Sequence, residues 1–280
     1  MKTYVFSLLI MVLIQSTGCA QQDIRLLVRG DDIGSSHNAN LACIESYKNG
    51  IERSVEIMVP CSWFEEAVKL LNENPGLDVG IHLVLTSEWD YYKWRPLTYA
   101  PSITDPDGYF YPMIWPGKNY PENKTLVHSN YDINEVEKEL RAQIELAIRK
   151  IPHISHLSEH MGWTSVSPEM KSLYEKLAVE YHLETDYSSL KHPGHYGQDD
   201  SPKSAIQDFT DMLNNLQPGT YLFVEHPGLN TSEAQGIFHV GNETVAGDRQ
   251  TVTDIFTSPE VKKTISDKKI QLISYKDIKK

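Results

Sequence analysis

The chain has 280 residues, 40% of them hydrophobic, and a formal net charge of −12 from 26 basic and 38 acidic side chains. This length suits one large α/β domain or two small ones and is enough to bury a substantial core, and the acidic balance argues against a nucleic-acid partner. Three cysteines cannot form a disulfide framework, whereas eleven histidines justify a search for a metal site.

The first 18 residues have the pattern of an export signal. A basic residue precedes an apolar run over 5–14 that is too short to span a bilayer, and small residues then lead to Cys19. The stretch Ser-Thr-Gly-Cys resembles the lipobox of bacterial lipoproteins, with Ser16 where an aliphatic residue is more usual. We therefore expect residues 1–18 to be a lipoprotein signal peptide and Cys19 to be lipidated, which predicts a periplasmic or cell-surface bacterial lipoprotein attached to the membrane only by lipid. The alternative is an ordinary secreted protein.

From residue 19 to 280, short β-branched or aliphatic runs alternate with segments of helical period. Strands are predicted near 25–30, 54–59, 79–84, 153–158, 183–187, 220–226 and 270–274. Helices are predicted over 36–48, 62–74, 132–151, 202–216 and 258–266, with a further helix beginning at Ser167-Pro168. This alternation predicts a single α/β domain, and seven strand–helix units favour a TIM-like incomplete barrel, roughly (β/α)7, over an open sheet. In either architecture the functional site lies at the carboxyl ends of the strands.

The segment 86–131 interrupts the alternation, because it is rich in Trp, Tyr, Pro and Gly and has no helical period. It directly follows the strand that contains His82, so we expect it to be an active-site loop insertion that forms a wall or lid. Its first residues place Trp89 and Trp94 among charged side chains, a combination that suits sugar binding. The alternative is that these two rings pack on the rim of the barrel.

Polar residues recur where the predicted strands end. They are Asp31-Asp32 after the first strand, His82 in the third, His153, His156 and His160 across the fourth, and Glu225-His226-Pro227-Gly228 at the sixth. Each signal is weak alone, since a single histidine in an apolar strand is usually a hydrogen-bonded core residue and Asp before Gly is a common helix cap. Their joint placement at one edge of one barrel favours a functional site.

The chemistry that needs such a set is metal-assisted hydrolysis. One carboxylate and two imidazoles can hold a divalent cation and leave positions open for water and substrate. A second carboxylate beside the first can accept a proton from the attacking water, and a further histidine can protonate the leaving group. The aspartate pair and the histidines supply every member of this set.

At these residues the sequence resembles the YdjC/ChbG-like carbohydrate deacetylases, which are related to NodB-type polysaccharide deacetylases. Residues 30–34 look like the family's Ala-Asp-Asp-Phe-Gly, residues 74–86 give the most specific match, and His226-Pro227-Gly228 resembles its late His-Pro-Gly. The resemblance extends over essentially the whole mature chain. It implies that Asp31 is the general base and that His226 is the acid or orients the substrate. The implied metal ligands are Asp32, His82 and His160.

The fourth strand departs from the family pattern. The family motif Thr-His-Leu-Asp-Ser-His-His-His corresponds here to Ser-His-Leu-Ser-Glu-His-Met-Gly at 155–162, so Ser158 replaces an aspartate and the trailing histidines are absent. We expect His156 to lie behind a metal ligand, with a ligand or core role as the alternatives. Arg249 resembles a family position and is expected to neutralise Asp31 or to contact substrate.

The resemblance implies a metal-dependent hydrolase that removes N-acetyl groups from amino sugars in oligosaccharides. The ligand types favour one zinc ion, with magnesium or another divalent ion as alternatives. A carbohydrate-binding lipoprotein without catalysis and a metal-dependent esterase are the competing hypotheses. The sequence leaves the sugar and the oligomeric state open, a homodimer included.

Overall fold

A computed structural model describes residues 23–185, 187–194 and 202–278. The predicted signal peptide over 1–18 and the predicted lipidation site Cys19 lie outside these residues. No helix in the described part of the chain has both the length and the apolar character needed to cross a lipid bilayer.

Strands and helices alternate along the described chain. The strands are β1 (Ile24–Ile33), β2 (Ser54–Ile57), β3 (Asp78–Leu83), β4 (Ile154–Glu159), β5 (Gly219–Glu225) and β6 (Gln271–Ile273). The helices are α1 (His37–Lys48), α2 (Phe64–Asn72), α3 (Ile133–Lys150), α4 (Pro168–Tyr181), α5 (Pro202–Asn215), α6 (Val245–Thr257) and α7 (Pro259–Asp267). Among the described residues of the predicted strand at 183–187 no regular strand forms, and Glu184 pairs with His156 in an isolated parallel bridge. Helix α6 was not predicted.

All strand pairs named in the sheet are parallel, in the order β4-β3-β2-β1-β5, with β6 also paired to β1. Strand β5 follows one edge of β1, and the other edge is shared by β6 near its start and β2 near its end. The prediction of a single α/β domain built on an incomplete parallel barrel is confirmed. Because the strands are parallel, their carboxyl ends meet at one edge of the sheet.

Apolar side chains are buried on the outside of the sheet, under the helices. Helix α3 shows how the sequence pattern corresponds to burial, because Val136, Leu140 and Ile144 form the predicted apolar stripe and are fully buried. Asp132 caps this helix by accepting a hydrogen bond from the Asn134 amide at 2.9 Å. A second cluster packs α5, α6 and α7 against β1 and β5. These contacts fix the strand ends that carry the polar residues.

The insertion 86–131 contains short 3-10 helices and turns but no α-helix. Its start is anchored by Trp94, whose backbone amide donates to Ser87 Oγ at 3.0 Å and whose indole N–H donates to the Thr86 carbonyl at 2.7 Å. The Ser87 amide donates to the Tyr111 carbonyl at 3.0 Å. The first residues of the insertion are therefore held against the end of β3.

Candidate metal centre

Two adjacent aspartates lie where β1 ends and the chain turns into α1. Asp32 has a left-handed backbone conformation with φ 74°, which Asp tolerates better than most residues, and Gly34 follows with φ 94°. A Cβ at position 34 would lie 3.0 Å from the Met58 carbonyl oxygen, so the turn requires glycine on two grounds. Both carboxylates are buried, and each has an oxygen within 3.9 Å of His82 Nε2.

Asp32, His82 and His160 converge at this edge of the sheet, as expected of the three ligands. Asp32 Oδ1 lies 3.8 Å from His82 Nε2 and 3.6 Å from His160 Nδ1, and the candidate ligand atoms of the three residues lie within 4.8 Å of one another. Asp32 Oδ1 is buried and has no hydrogen-bond partner. A buried oxygen without a donor beside two imidazole nitrogens fits a divalent cation bound by one carboxylate and two histidines.

The hydrogen bonds of His82 leave one ring nitrogen free for a metal. His82 Nδ1 lies 2.7 Å from Ser158 Oγ, and Ser158 donates its single proton to the carboxylate of Glu56. Nδ1 must therefore carry the ring proton, which leaves a lone pair on the Nε2 that faces Asp32. Burial of the imidazole lowers the pKa of His82 to about 4, so the ring is neutral at pH 7.

His160 is oriented by a residue that the sequence analysis did not identify. Its Nε2 lies 3.0 Å from Glu88 Oε2, and a carboxylate only accepts hydrogen bonds, so Nε2 carries a proton and Nδ1 faces Asp32. Burial acts to lower the pKa of His160, but the Glu88 carboxylate outweighs it and the pKa lies above its ordinary value. Glu88 belongs to the insertion, and its only sequence signal is a carboxylate shortly after the strand of His82.

Asp31 lies beside the three candidate ligands, and Arg29 binds both of its carboxylate oxygens. The guanidinium donates from Nε to Asp31 Oδ1 at 2.7 Å and from Nη2 to Oδ2 at 2.8 Å, a bidentate pair of residues two apart on the same face of β1. Burial acts to raise the pKa of Asp31, but Arg29 outweighs it and holds the pKa below its usual range. Asp31 is therefore an anion at neutral pH.

Arg249, on the unpredicted helix α6, pairs with Asp32 and not with Asp31. Its Nη2 donates to Asp32 Oδ2 at 2.6 Å, and this bond leaves Oδ1 as the oxygen that faces the histidines. Burial acts to raise the pKa of Asp32, and Arg249 more than offsets it, so the pKa lies well below its usual range. The expected pairing with Asp31 is wrong because Arg29 already occupies both oxygens of that carboxylate.

His226 lies at the end of β5, with 41% of its side chain exposed and Nδ1 at 3.9 Å from Glu225 Oε2. Burial of the ring acts to lower its pKa, but the carboxylates of Asp32 and Glu225 outweigh this and raise it. The ring is outside the three-residue cluster. Its role as an acid stays a prediction.

His156 is fully buried and does not reach the cluster. Its Nε2 lies 2.6 Å from Glu56 Oε1, and Glu56 in turn accepts the hydroxyl of Ser158, which contacts His82. His156 therefore lies behind a candidate ligand, as expected, and His160, the residue directly after β4, belongs to the cluster. The remaining histidine of this run, His153, is neither part of the cluster nor a residue behind a candidate ligand.

Trp89 and Trp94 are buried, with exposed fractions of 5% and 3%. The Trp94 ring meets the His160 ring edge-on at 6.3 Å, and the Trp89 ring stacks on His239 at 5.5 Å with the Arg249 guanidinium 5.4 Å from its centroid. These contacts favour the alternative in which both rings pack on the barrel rim. Contact of either ring with a sugar stays a prediction, as does contact of Arg249 with substrate.

Three comparisons place the chain among known proteins. A family model described as YdjC-like protein matches residues 25–267. A carbohydrate deacetylase of Brevibacillus brevis is 30% identical over 277 residues, and one of Listeria monocytogenes serotype 4b is 28% identical over 265; each match covers 91% of this chain and 100% of the relative. A crystal structure from Enterococcus faecalis V583, described as a candidate cellobiose-phosphate cleavage protein, matches with a TM-score of 0.68 and 20% identity over 91% of this chain and 98% of that one. This structural likeness supports the fold alone.

Proposed function

The chain belongs to the YdjC-like protein family, and from this premise we propose that it is a carbohydrate deacetylase that depends on one divalent metal ion. The observation that carries the proposal is the cluster of Asp32, His82 and His160, in which a buried carboxylate oxygen without a hydrogen-bond donor faces two imidazole nitrogens. The separate anion Asp31 lies beside the same cluster. A ligand set and an adjacent base are the two parts that metal-assisted amide hydrolysis needs.

Asp32, His82 and His160 would hold the cation. When bound, a divalent ion supplies a Lewis acid for the acetyl carbonyl and lowers the pKa of a water molecule. The set of one carboxylate and two imidazoles suits zinc, and the same residue types also bind other divalent ions. Arg249 would keep Asp32 ionised and turned so that Oδ1 faces the ion.

Asp31 would accept a proton from the water that attacks the acetyl carbon. His226 would donate a proton to the amine nitrogen as the C–N bond breaks, so that amide and water become acetate and amine. The opposite directions of the two pKa shifts support this division, because the shift of Asp31 favours its carboxylate form and the shift of His226 favours its imidazolium form. A pair of groups with pKa values pushed apart is the arrangement expected of a base and an acid.

The proposed substrate is an oligosaccharide that contains N-acetylated amino sugars. The named activity of the relatives supports a carbohydrate, and the insertion 86–131 supplies a wall beside His160 that could border a sugar chain. The exposed ring of Tyr91, which meets Phe238 edge-on at 5.6 Å, gives this wall an aromatic surface.

Acetate release tests the proposal. The purified chain is incubated with chitin-type and peptidoglycan-type N-acetyl oligosaccharides and with O-acetylated sugars, each with and without a chelator. We expect acetate from at least one N-acetylated substrate and its loss with the chelator. Binding of oligosaccharides without acetate release would favour the non-catalytic carbohydrate-binding alternative, and release from esters alone would favour the esterase.

Export and lipid attachment are a separate proposal that rests on the sequence pattern at 1–19. Mass spectrometry of the mature amino terminus in the native host checks it. We expect a chain that begins at an acylated Cys19. A mature chain that begins at another residue, or an unmodified Cys19, would refute lipid attachment without affecting the proposed activity.

A further inference from the structure

Glu56 on β2 is the point where the supports of the candidate metal site and of the candidate base meet. We infer that Glu56 is a positioning residue that orients His82 through Ser158 and, on its other side, stabilises the arginine that holds Asp31. The metal site and the base that Glu56 would serve are those of the proposed function, so the inference rests on it. The geometry itself comes from contacts in the described part of the chain.

The carboxylate of Glu56 is fully buried and has three polar neighbours. Its Oε1 lies 2.6 Å from His156 Nε2 and 3.7 Å from Arg29 Nε, and its Oε2 accepts the hydroxyl proton of Ser158. A buried carboxylate is costly unless donors and positive charge surround it. His156, Arg29 and Ser158 hold the carboxylate of Glu56 in place, and the positions of these three side chains depend in turn on the carboxylate.

A glycine on the neighbouring strand leaves space for the carboxylate of Glu56. Gly80 on β3 lies opposite Glu56 in the parallel register. A Cβ at position 80 would approach Glu56 Oε2 to 2.3 Å and His156 Nε2 to 2.4 Å. Glycine at this position therefore allows the close contact between the carboxylate of one strand and the imidazole of another.

The route from Glu56 to the metal site passes through one hydroxyl group. Ser158 has a single proton, and because Glu56 only accepts hydrogen bonds, that proton is directed to Glu56. The Ser158 oxygen is then left to accept the Nδ1 proton of His82 at 2.7 Å. Glu56 thereby sets both the tautomer and the ring orientation of His82 without touching it.

This geometry places a negative charge behind His82 by way of a neutral residue. A serine cannot itself supply the negative charge that a metal-binding histidine usually has behind it. The charge lies one hydroxyl group beyond Ser158, on the carboxylate of Glu56, which β2 supplies.

The route from Glu56 to Asp31 passes through Arg29. The guanidinium gives two hydrogen bonds to Asp31, lies 3.7 Å from Glu56 Oε1, and donates from Nη1 to the Tyr275 hydroxyl at 3.1 Å. Removing the charge of Glu56 leaves the guanidinium with one carboxylate partner in place of two. One substitution at Glu56 is therefore expected to disturb both the candidate metal site and the candidate base.

Zinc affinity at pH 7, measured by competition with a chromogenic chelator, tests the inference. We expect Glu56→Gln to weaken zinc binding by about 10- to 100-fold, because the amide must turn a donor toward either Ser158 or His156. The matched control is Glu139→Gln on α3, since Glu139 is also fully buried and accepts hydrogen bonds from Leu97, Thr98 and Gln143 but touches no residue of the site. The control is expected to bind zinc as the wild type does.

Further variants keep the inference testable if Glu56→Gln does not fold. Ser158→Ala is expected to lose a similar factor in zinc affinity, and combining it with Glu56→Gln should add little, because both act on His82 by one route. The double variant Glu56→Ser with Ser158→Asp places the carboxylate directly behind His82 and should regain most of the zinc affinity.

Three results would overturn the inference: wild-type zinc affinity in a folded Glu56→Gln, wild-type affinity in Ser158→Ala, or equal losses in Glu56→Gln and the Glu139→Gln control. The titration uses zinc alone and no substrate. A wild-type chain that binds zinc but releases no acetate would therefore refute the proposed function and leave the inference about Glu56 standing.

Discussion

The two histidines of the candidate metal centre are supported by different parts of the molecule. His82 is oriented by residues of the sheet, Ser158 on β4 and Glu56 on β2, whereas His160 is oriented by Glu88 of the insertion. The sheet half is fixed by the parallel register of the strands, because a shift of one residue would turn these side chains to the other face. The insertion half depends on loop packing.

This difference gives the insertion a second role. A wall or lid need only border the substrate, but the segment that carries Glu88 also orients His160 of the candidate metal site. The bonds of Trp94 to Thr86 and Ser87 keep Glu88 near His160 even though the segment has no α-helix. The packing of the first residues of the insertion, 86–94, and the metal affinity are therefore expected to vary together, whereas substitutions elsewhere in the insertion should leave the candidate metal site intact.

The largest expected effect comes from removing a sheet-borne ligand. His82→Ala should lose both metal and turnover, while Asp31→Asn should lose turnover by about 100-fold or more and keep stoichiometric metal, because only the first supplies a ligand atom. Elemental analysis and acetate release measured on the same samples check this. Equal loss of metal in the two variants would contradict the separate roles of Asp31 and His82.

A substitution of Glu88 is the most direct way to remove the support that the insertion gives to His160. Glu88→Ala should weaken metal binding by about 10- to 100-fold, because His160 loses the acceptor that fixes its tautomer and ring orientation. Glu122→Ala, an exposed residue of the same insertion, is the matched control and should bind metal as the wild type does. If a competition titration gave the same affinity for both variants, the insertion would only border the site.

Glu52, two residues before β2, is a second buried carboxyl group, and its surroundings contrast with those of Glu56. Both Glu52 oxygens are buried without a hydrogen-bond partner, and burial raises the pKa of Glu52 well above its ordinary value of 4.5. The folded chain therefore keeps a proton that the unfolded chain loses above pH 4.5, so the free energy of unfolding should fall as pH rises. Glu52→Gln removes this dependence.

We expect Glu52→Gln to be more stable than the wild type at neutral pH, by about 1–3 kcal/mol, with little difference below pH 4.5. Chemical denaturation at several pH values between 4 and 8 measures the gap. A gap that stays constant with pH, or that favours the wild type at pH 8, would show that Glu52 is ionised in the folded state.

The smallest expected effect lies at the anchor of the insertion. Trp94→Phe keeps a ring beside His160 but removes the N–H that donates to the Thr86 carbonyl, which should cost about 1 kcal/mol of stability and a few-fold in metal affinity. Trp115→Phe, in the same insertion and 48% exposed, is the control. Loss of stability without any change in metal affinity would mean that this bond does not position Glu88.

The sequence predicts the fold because the strands and most helices have clear periodicity. The stripe of α3 and its cap at Asp132 are local features that need no tertiary context. Helix α6 has a shorter apolar pattern, limited mainly to Val252, Ile255 and Phe256 in its last turns, and Gly247 in its first turn weakens its helical pattern. The segment at 183–187 has strand-like composition, but whether it pairs over its length is decided by its neighbours and not by its own residues.

The candidate site is predictable where its residues lie at strand ends. Asp32 and His82 follow from that rule, and His160 is selected among the fourth-strand histidines by the family resemblance. Glu56 and Glu88 could not be predicted in the same way, because their roles depend on side chains from other elements that meet them only in the folded chain. The pairing of Arg249 with Asp32 could not be predicted for the same reason.

Acetate release measured against metal occupancy tests the central claim most directly. The chain is stripped with a chelator, reloaded with increasing amounts of zinc, and assayed for acetate release from an N-acetylated oligosaccharide while bound metal is counted by elemental analysis. Activity should rise in proportion to bound metal and reach its maximum at one ion per chain. Acetate release that is unchanged in the stripped protein would contradict the assignment of Asp32, His82 and His160 as a catalytic metal site.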